Sequence, residues 1–292
     1  MKLSRRAIKK GVKNYSFILP GFLIIASIVI YPILSTIVSS FSKDGASFSF
    51  TLDKYIRVIN APHFLEMLRN TVFWVITTVS LSFLVGFGAA VLVEHDSVKH
   101  KNIWRSIFLL AWITPSVIKA EAWRWLFSYD FGMLNSTLVS YGLIREPIPW
   151  LFDPNFAFFS IILIQIWGEF SYVMLMISAG MQSINKDYHD CARLDGASWF
   201  RYIRSIVVPI ISDVVFIALL IITIWSINTF VMILIVTQGG PLGSTTILSL
   251  DVYQKFLMFD RGGAAATSIF QLLICLVITI IYVQRSRKAE TA

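Results

Sequence analysis

Asn70 to Val93 reads NTVFWVITTVSLSFLVGFGAAVLV, 24 residues without a charge, closed by Arg69 on one side and Glu94 on the other. A helix rises about 1.5 Å per residue, so roughly 20 apolar residues cross the hydrocarbon of a bilayer. Asn14 to Ser42, between Lys13 and Lys43, and Gly262 to Gln284, between Arg261 and Arg285, are equally bare of charge. Val214 to Leu250 is bare as well, but Gly239-Gly240-Pro241 interrupts it, so one helix from Pro209 to Thr237 and then a loop is predicted. Phe156 to Gly180 holds one ionisable residue, Glu169. Ser106 to Ile118 alone is too short to cross, so its helix is predicted to continue through Lys119, Glu121 and Arg124 to Phe127. Glu121 and Arg124, three apart, pair on one face of such a helix.

The whole chain agrees with these runs. Of its 292 residues 56% are hydrophobic and only 14% charged, and the mean hydropathy is +0.71. That excludes a disordered chain and argues against one water-soluble globule, which has no core large enough for so much apolar surface. The expectation is an all-α membrane protein with six transmembrane helices, at about 15–41, 70–93, 104–127, 156–180, 209–237 and 263–284, forming a single transmembrane domain over 1–292. Pro20 and Pro32 predict kinks in the first. That helix is too long for the apolar core of a cleaved signal and is read as retained.

Lys and Arg set the orientation. Sixteen fall before span one, after spans two and four, and in the C-terminal tail, against nine on the opposite side. The richer side is expected to be cytoplasmic, which places both termini inside. The net charge of +8 then belongs to the membrane topology and calls for no nucleic-acid partner. The chain has no GxxxxGK[ST], HExxH or GxSxG motif, and its four histidines, His63, His95, His100 and His189, show no metal-ligand spacing. Cys191 and Cys275 form no CxxC. No catalytic residue and no metal site is expected.

One predicted inner loop is longer than a connection requires: Ser183 to Pro209, SINKDYHDCARLDGASWFRYIRSIVVP. Asn185 is placed to cap a helix, with Asp187 and Asp190 in its first turns and Gly196 at its left-handed end. Tyr188, Cys191, Ala192 and Asp195 recur at helical spacing on one face, and the small residues Cys191, Ala192, Gly196 and Ala197 admit a close partner. A second helix carries Trp199, Arg201, Tyr202 and Arg204, and Pro209 opens the next span. By pattern alone the segment suits either a protein interface or a helix lying on the bilayer surface.

This segment resembles the EAA loop of the permease subunits of binding-protein-dependent ABC importers. Ala192, Asp195, Gly196, Ala197 and Pro209 match it, and Asp190 and Cys191 stand where that family has Glu and Ala. Tyr31-Pro32, Trp123 to Phe127, Gly132 to Asn135, Thr237 to Pro241 with Ser244 to Thr246, and Phe256 to Ala266 resemble the carbohydrate-uptake branch, similar to maltose-type and glycerol-phosphate-type permeases. The resemblance implies the type I ABC importer permease fold in a prokaryotic cytoplasmic membrane. It implies a second permease subunit, two copies of an ATPase subunit and an extracytoplasmic solute-binding protein as partners. ATP and Mg would sit on the ATPase, with no cofactor on this chain. Asp190, Cys191, Ala192, Asp195, Gly196 and Pro209 would couple to the ATPase.

For the substrate path, Glu169 is the first candidate, because a carboxylate in mid-membrane is costly; helix packing is its other reading. Trp167 and Tyr172 lie beside it, and Trp225 and Asn228 in span five offer the same aromatic and polar mix, which suits a sugar. An interhelical hydrogen bond is the other reading for Asn228. The solute is expected to be a sugar, oligosaccharide or polyol. The competing class is an ion-coupled secondary carrier, which needs no ATPase.

Overall fold

The computed structural model describes residues 19–42 and 50–290, with side chains to residue 284. The basic residues from Lys2 to Lys13, the first residues of span one, Lys43, and the side chains of Arg285, Arg287 and Lys288 lie outside the described residues. All regular structure among those described is helical. Four helices are long and apolar enough to cross a membrane: α1 (Leu19–Phe41), α3 (Phe64–Glu94), α7 (Pro154–Gln182) and α13, crossing over Arg261–Gln284. A short α2 (Asp53–Ile59) joins α1 to α3.

The other two crossings are broken, and here the sequence expectation is corrected. The helix expected to run unbroken to Phe127 is two, α4 (Lys101–Ile113) and α5 (Ser116–Leu126), turned 93° apart. Pro115 is the cause: proline has no N–H to continue the ladder and pushes the residue before it out of the helical region, as the extended Thr114 shows. Glu121 and Arg124 do pair on α5, at 3.8 Å. The helix expected from Pro209 to Thr237 is in three pieces. α9 (Trp199–Ile210) and α10 (Ser212–Asn228) meet at 76°. After an extended Thr229 the chain resumes as α11 (Val231–Val236). Pro32 and Pro209 are each preceded by a π-helical turn, Ala26–Ile30 and Ile203–Val207. A proline frees the carbonyl four residues back, and a wider turn absorbs the defect.

α3 and α7 form the central pair, α4 lies along α7, and α10 crosses both. Gly86 makes the central approach possible: a Cβ there would stand 2.5 Å from the Phe170 carbonyl and 2.6 Å from Val173 Cβ. Backbones approach this closely where a small residue leaves room. Trp74, Ile161, Ile164, Val173, Met174, Ile177 and Ile222 fill the core between these helices. α1 packs chiefly on α13 and α2, and among the described residues none of its apolar window is buried. The two broken-off pieces, α5 and α11, pack against each other. α6 (Met133–Ser140) and α12 (Leu248–Leu257) complete the end of the bundle opposite α8 (Lys186–Leu194).

Candidate functional site

The break after Asn228 exposes the carbonyls of the last turn of α10, and a membrane offers no water to satisfy them. Side chains do so instead. Trp74 Nε1 donates to the Ser226 carbonyl at 3.0 Å, Gln271 Nε2 to that of Ile227 at 3.2 Å and Ser249 Oγ to that of Thr229 at 2.7 Å. Asn228 Nδ2 donates back to Ile224 O at 2.7 Å and Thr229 Oγ1 to Trp225 O at 2.9 Å. Donors from α3, α12 and α13 thus converge on one interruption.

Glu169 stands beside it. The side chain is enclosed by this chain's own helices and accepts from Gln165 Nε2 at 2.6 Å, Ser82 Oγ at 3.4 Å and Ser226 Oγ at 3.3 Å. Gln165 Nε2 also reaches Thr229 Oγ1 at 3.3 Å. The Lys119 ammonium, in the first turn of α5, lies within electrostatic range of the carboxylate. That ammonium lies over Gly168, where a Cβ would collide with Nζ. One carboxylate therefore links α3, α5, α7 and α10 at the depth where two spans break. Lys119, Gln165, Ser82 and Ser226 were not singled out in the sequence; the available signal was Pro115, which turns Lys119 inward.

The five residues marked for a substrate path separate. Tyr172 and Trp225 pack with their rings inclined at 57°, 4.7 Å between centroids, and Trp112, unmarked in the sequence, completes a triad at 5.7 and 6.3 Å from them. Trp225 and Trp112 remain over a third exposed. Asn228 opens onto a groove of about 810 Å³ between α1, α12 and α13, with Thr36, Ser249, Tyr253, Arg261 and Gln271 on its walls. Trp167 instead packs edge-on against Trp123, 5.8 Å away, and Glu169 faces inward. Chemically, the exposed half offers aromatic faces and amide and hydroxyl groups, and the enclosed half holds them in place.

At the far end of the bundle, α8 forms as its sequence directs. Asn185 accepts from the Asp187 N–H at 3.1 Å, and Gly196, at φ +69°, closes the helix with Ala197 N donating to Ala192 O at 2.9 Å. Ser198 caps α9. The face expected to carry Tyr188, Cys191, Ala192 and Asp195 together is split. Ala192 is buried against the bundle, with His189 beside it, whereas Tyr188, Asp190, Cys191, Leu194, Asp195 and Gly196 point away. Pro209 lies in the last turn of α9, exposed, just ahead of the bend at Ile211.

Residues 83–290 match the family described as binding-protein-dependent transport system inner membrane component. The chain is 32% identical to the trehalose/maltose transport system permease protein MalF of Thermococcus litoralis, over 98% of this chain and 96% of that one. It is 30% identical to the sulfoquinovosyl glycerol transport system permease protein SmoG of Agrobacterium fabrum, over 93% and 89%. Its fold superposes with a TM-score of 0.82, at 21% identity and over 97% and 96% of the two chains, on a chain of a bacterial alginate ABC transporter in complex with alginate pentasaccharide-bound periplasmic protein.

Proposed function

Because the chain belongs to the family of binding-protein-dependent transport system inner membrane components, we propose that it is the permease subunit forming half of the pathway of an ATP-driven importer for a sugar, oligosaccharide or polyol. The solute arrives from an extracytoplasmic solute-binding protein. A second, related permease supplies the other half, and the exposed apolar face of α1 leaves surface for it or for lipid. Two copies of an ATPase subunit hold ATP and Mg and do the hydrolysis; this chain binds no cofactor. The membrane is a prokaryotic cytoplasmic one, and the Lys and Arg excess puts both termini and α8 on its inner side.

The observation that carries the coupling role is α8 itself: nine residues, capped at both ends, seated by one side and open on the other. Such a helix is a rigid handle. Asp190, Cys191, Asp195 and Gly196 meet the ATPase, Ala192 seats the helix from behind, and Pro209 begins the bend through which its displacement enters α10. Rocking of the two permeases about the path follows. Trp225, Tyr172 and Asn228 line that path with the groove beside α13, and Glu169 and Trp167 hold its wall.

Two measurements test this. A photocrosslinker on Cys191, which is exposed, is expected to trap an ATPase subunit in native membranes. Solute accumulation is expected to stop when cells are emptied of ATP and to survive collapse of the ion gradients. Accumulation that follows the ion gradient instead would mark an ion-coupled carrier and overturn the proposal.

A further inference from the structure

Resting on that reading, the geometry points to His189 as the positioning residue that fastens the coupling helix to the end of α3. His189 is the one residue of α8 besides Ala192 that turns toward the bundle. Its side chain is about three-quarters covered, and it meets two other segments. Nε2 lies 3.4 Å from Asp96 Oδ2, in the turn that follows α3. The ring stands edge-on to Tyr202 at 5.1 Å and to Trp199 at 6.1 Å, both on α9. Trp199 in turn takes the edge of His95, the residue that ends α3, at 5.0 Å, and packs on Tyr202 at 5.5 Å. Val93, Ala192 and Tyr202 lie beneath in the continuous core.

Edge-to-face ring pairs are directional and contribute about 0.5–1.5 kcal/mol each beyond the area they bury. Four rings from α3, α8 and α9 therefore form a joint that resists sliding in any direction. The other side of α3's end is tied as well: Arg105 Nη2 bonds Glu94 at 2.6 Å, and Gln182 reaches the same carboxylate at 3.4 Å. A push on α8 thus has α3 to act on, and α3 is half of the central pair. A helix held only by its two chain connections would tilt in place, and ATP would be spent without moving the spans.

The test uses the assembled importer, with partner permease, ATPase and binding protein, reconstituted in liposomes. The readout is solute imported per ATP hydrolysed, beside the amount of ATPase that co-purifies. His189→Ala is expected to bind the ATPase in wild-type amount and to lower solute per ATP about tenfold, within the range by which coupling residues act. His189→Phe, which keeps the ring contacts, is expected to stay within about twofold of wild type. Should His189→Ala not assemble, Trp199→Leu removes the ring contacts that join His189 and Tyr202 to His95 and is read in its place. A residue that merely stabilises the fold would lower the yield of complex and leave the ratio unchanged. An unchanged ratio in an assembled complex, or His189→Phe as defective as His189→Ala, overturns this inference alone. An unaltered chain that never co-purifies an ATPase overturns the functional reading and this inference with it.

Discussion

Gly196 allows strain and contact to be separated in one experiment. It sits at φ +69°, and a Cβ added there meets no atom of the described residues within 4 Å. The cost of any ordinary residue is therefore the left-handed backbone alone, about 1–2 kcal/mol. Ala and Leu share that cost, since both carry one Cβ substituent against the same carbonyl, and Asn, which tolerates this conformation, bears less. On strain alone, Gly196→Ala and Gly196→Leu loosen the cap formed by the Ala197–Ala192 hydrogen bond to the same extent. Size alone separates them, and only if another protein occupies the open space. The expected order of uptake at equal membrane levels is Gly196→Asn near wild type, Gly196→Ala reduced by a few-fold, and Gly196→Leu abolished, with all three inserted normally. Solute uptake into whole cells, normalised to the protein found in membranes, reads this directly. Wild-type uptake by Gly196→Leu, or equal losses for Ala and Leu, refutes the argument that a partner seats there.

Other positions give further outcomes. Asn185→Ala removes the acceptor of the Asp187 N–H and is expected to cost α8 about 1 kcal/mol, seen as several-fold faster hydrogen exchange at Asp187 and Tyr188 with the spans unaffected. Glu169→Ala strands Gln165, Ser82, Ser226 and the nearby Lys119; about 3–5 kcal/mol should appear as a marked fall in thermal unfolding temperature in detergent, with Glu169→Gln much milder. Gly86→Leu drives a side chain into the Phe170 carbonyl and Val173 and is expected to prevent recovery of folded protein, whereas the same change at Gly88, where nothing lies within 4 Å, is expected to be tolerated. Trp225→Ala and Asn228→Ala are expected to lower uptake at least tenfold while ATPase co-purification is unchanged; wild-type uptake in both removes them from the path.

What was legible in the sequence followed the range of the interactions involved. The caps of α8 are local: Asn185 bonds a residue two positions on and Gly196 answers to its own φ, so the helix and its ends were readable from a dozen residues. Charge-free runs located the crossings because lipid imposes that rule residue by residue. The direction of Ala192 was not legible, because spacing groups residues on a face without saying which neighbour that face meets. Pro115 was legible and its consequence underweighted: the need for length favoured one long helix, whereas a 93° turn let α5 pack on α11. The break at Thr229 had no local marker. Neither glycine nor proline is present, and the interruption persists because Trp74, Gln271 and Ser249, far apart in sequence, satisfy the freed carbonyls. Glu169 was marked for its charge, but all its partners except Gln165 come from three other helices.

Those long-range donors identify α3 as the member that connects the two ends. Its last residues carry the Glu94 and His95 contacts to α4, α7 and α9. About 18 Å further along, twelve residues of helix rise, Ser82 bonds Glu169. Two turns beyond, Trp74 and Thr78 hold Ser226 at the break in α10. At its start, Asn70 bonds the carbonyls of Ser244 and Thr246, in the loop that follows Gly239-Gly240-Pro241. A single helix thus touches the joint beneath α8, the enclosed carboxylate, the interrupted span and the loop at the opposite end. Because protein interiors are close-packed, such a helix cannot shift at one end and stay still at the others. The two broken crossings interrupt that continuity: α5 and α11 pack on each other and connect to α4 and α10 through the extended residues 114 and 229. If α8 couples to an ATPase as proposed, its displacement acts on this central pair, and the bundle resists it least at the breaks at 114 and 229, the second of which lies beside Asn228 and Trp225.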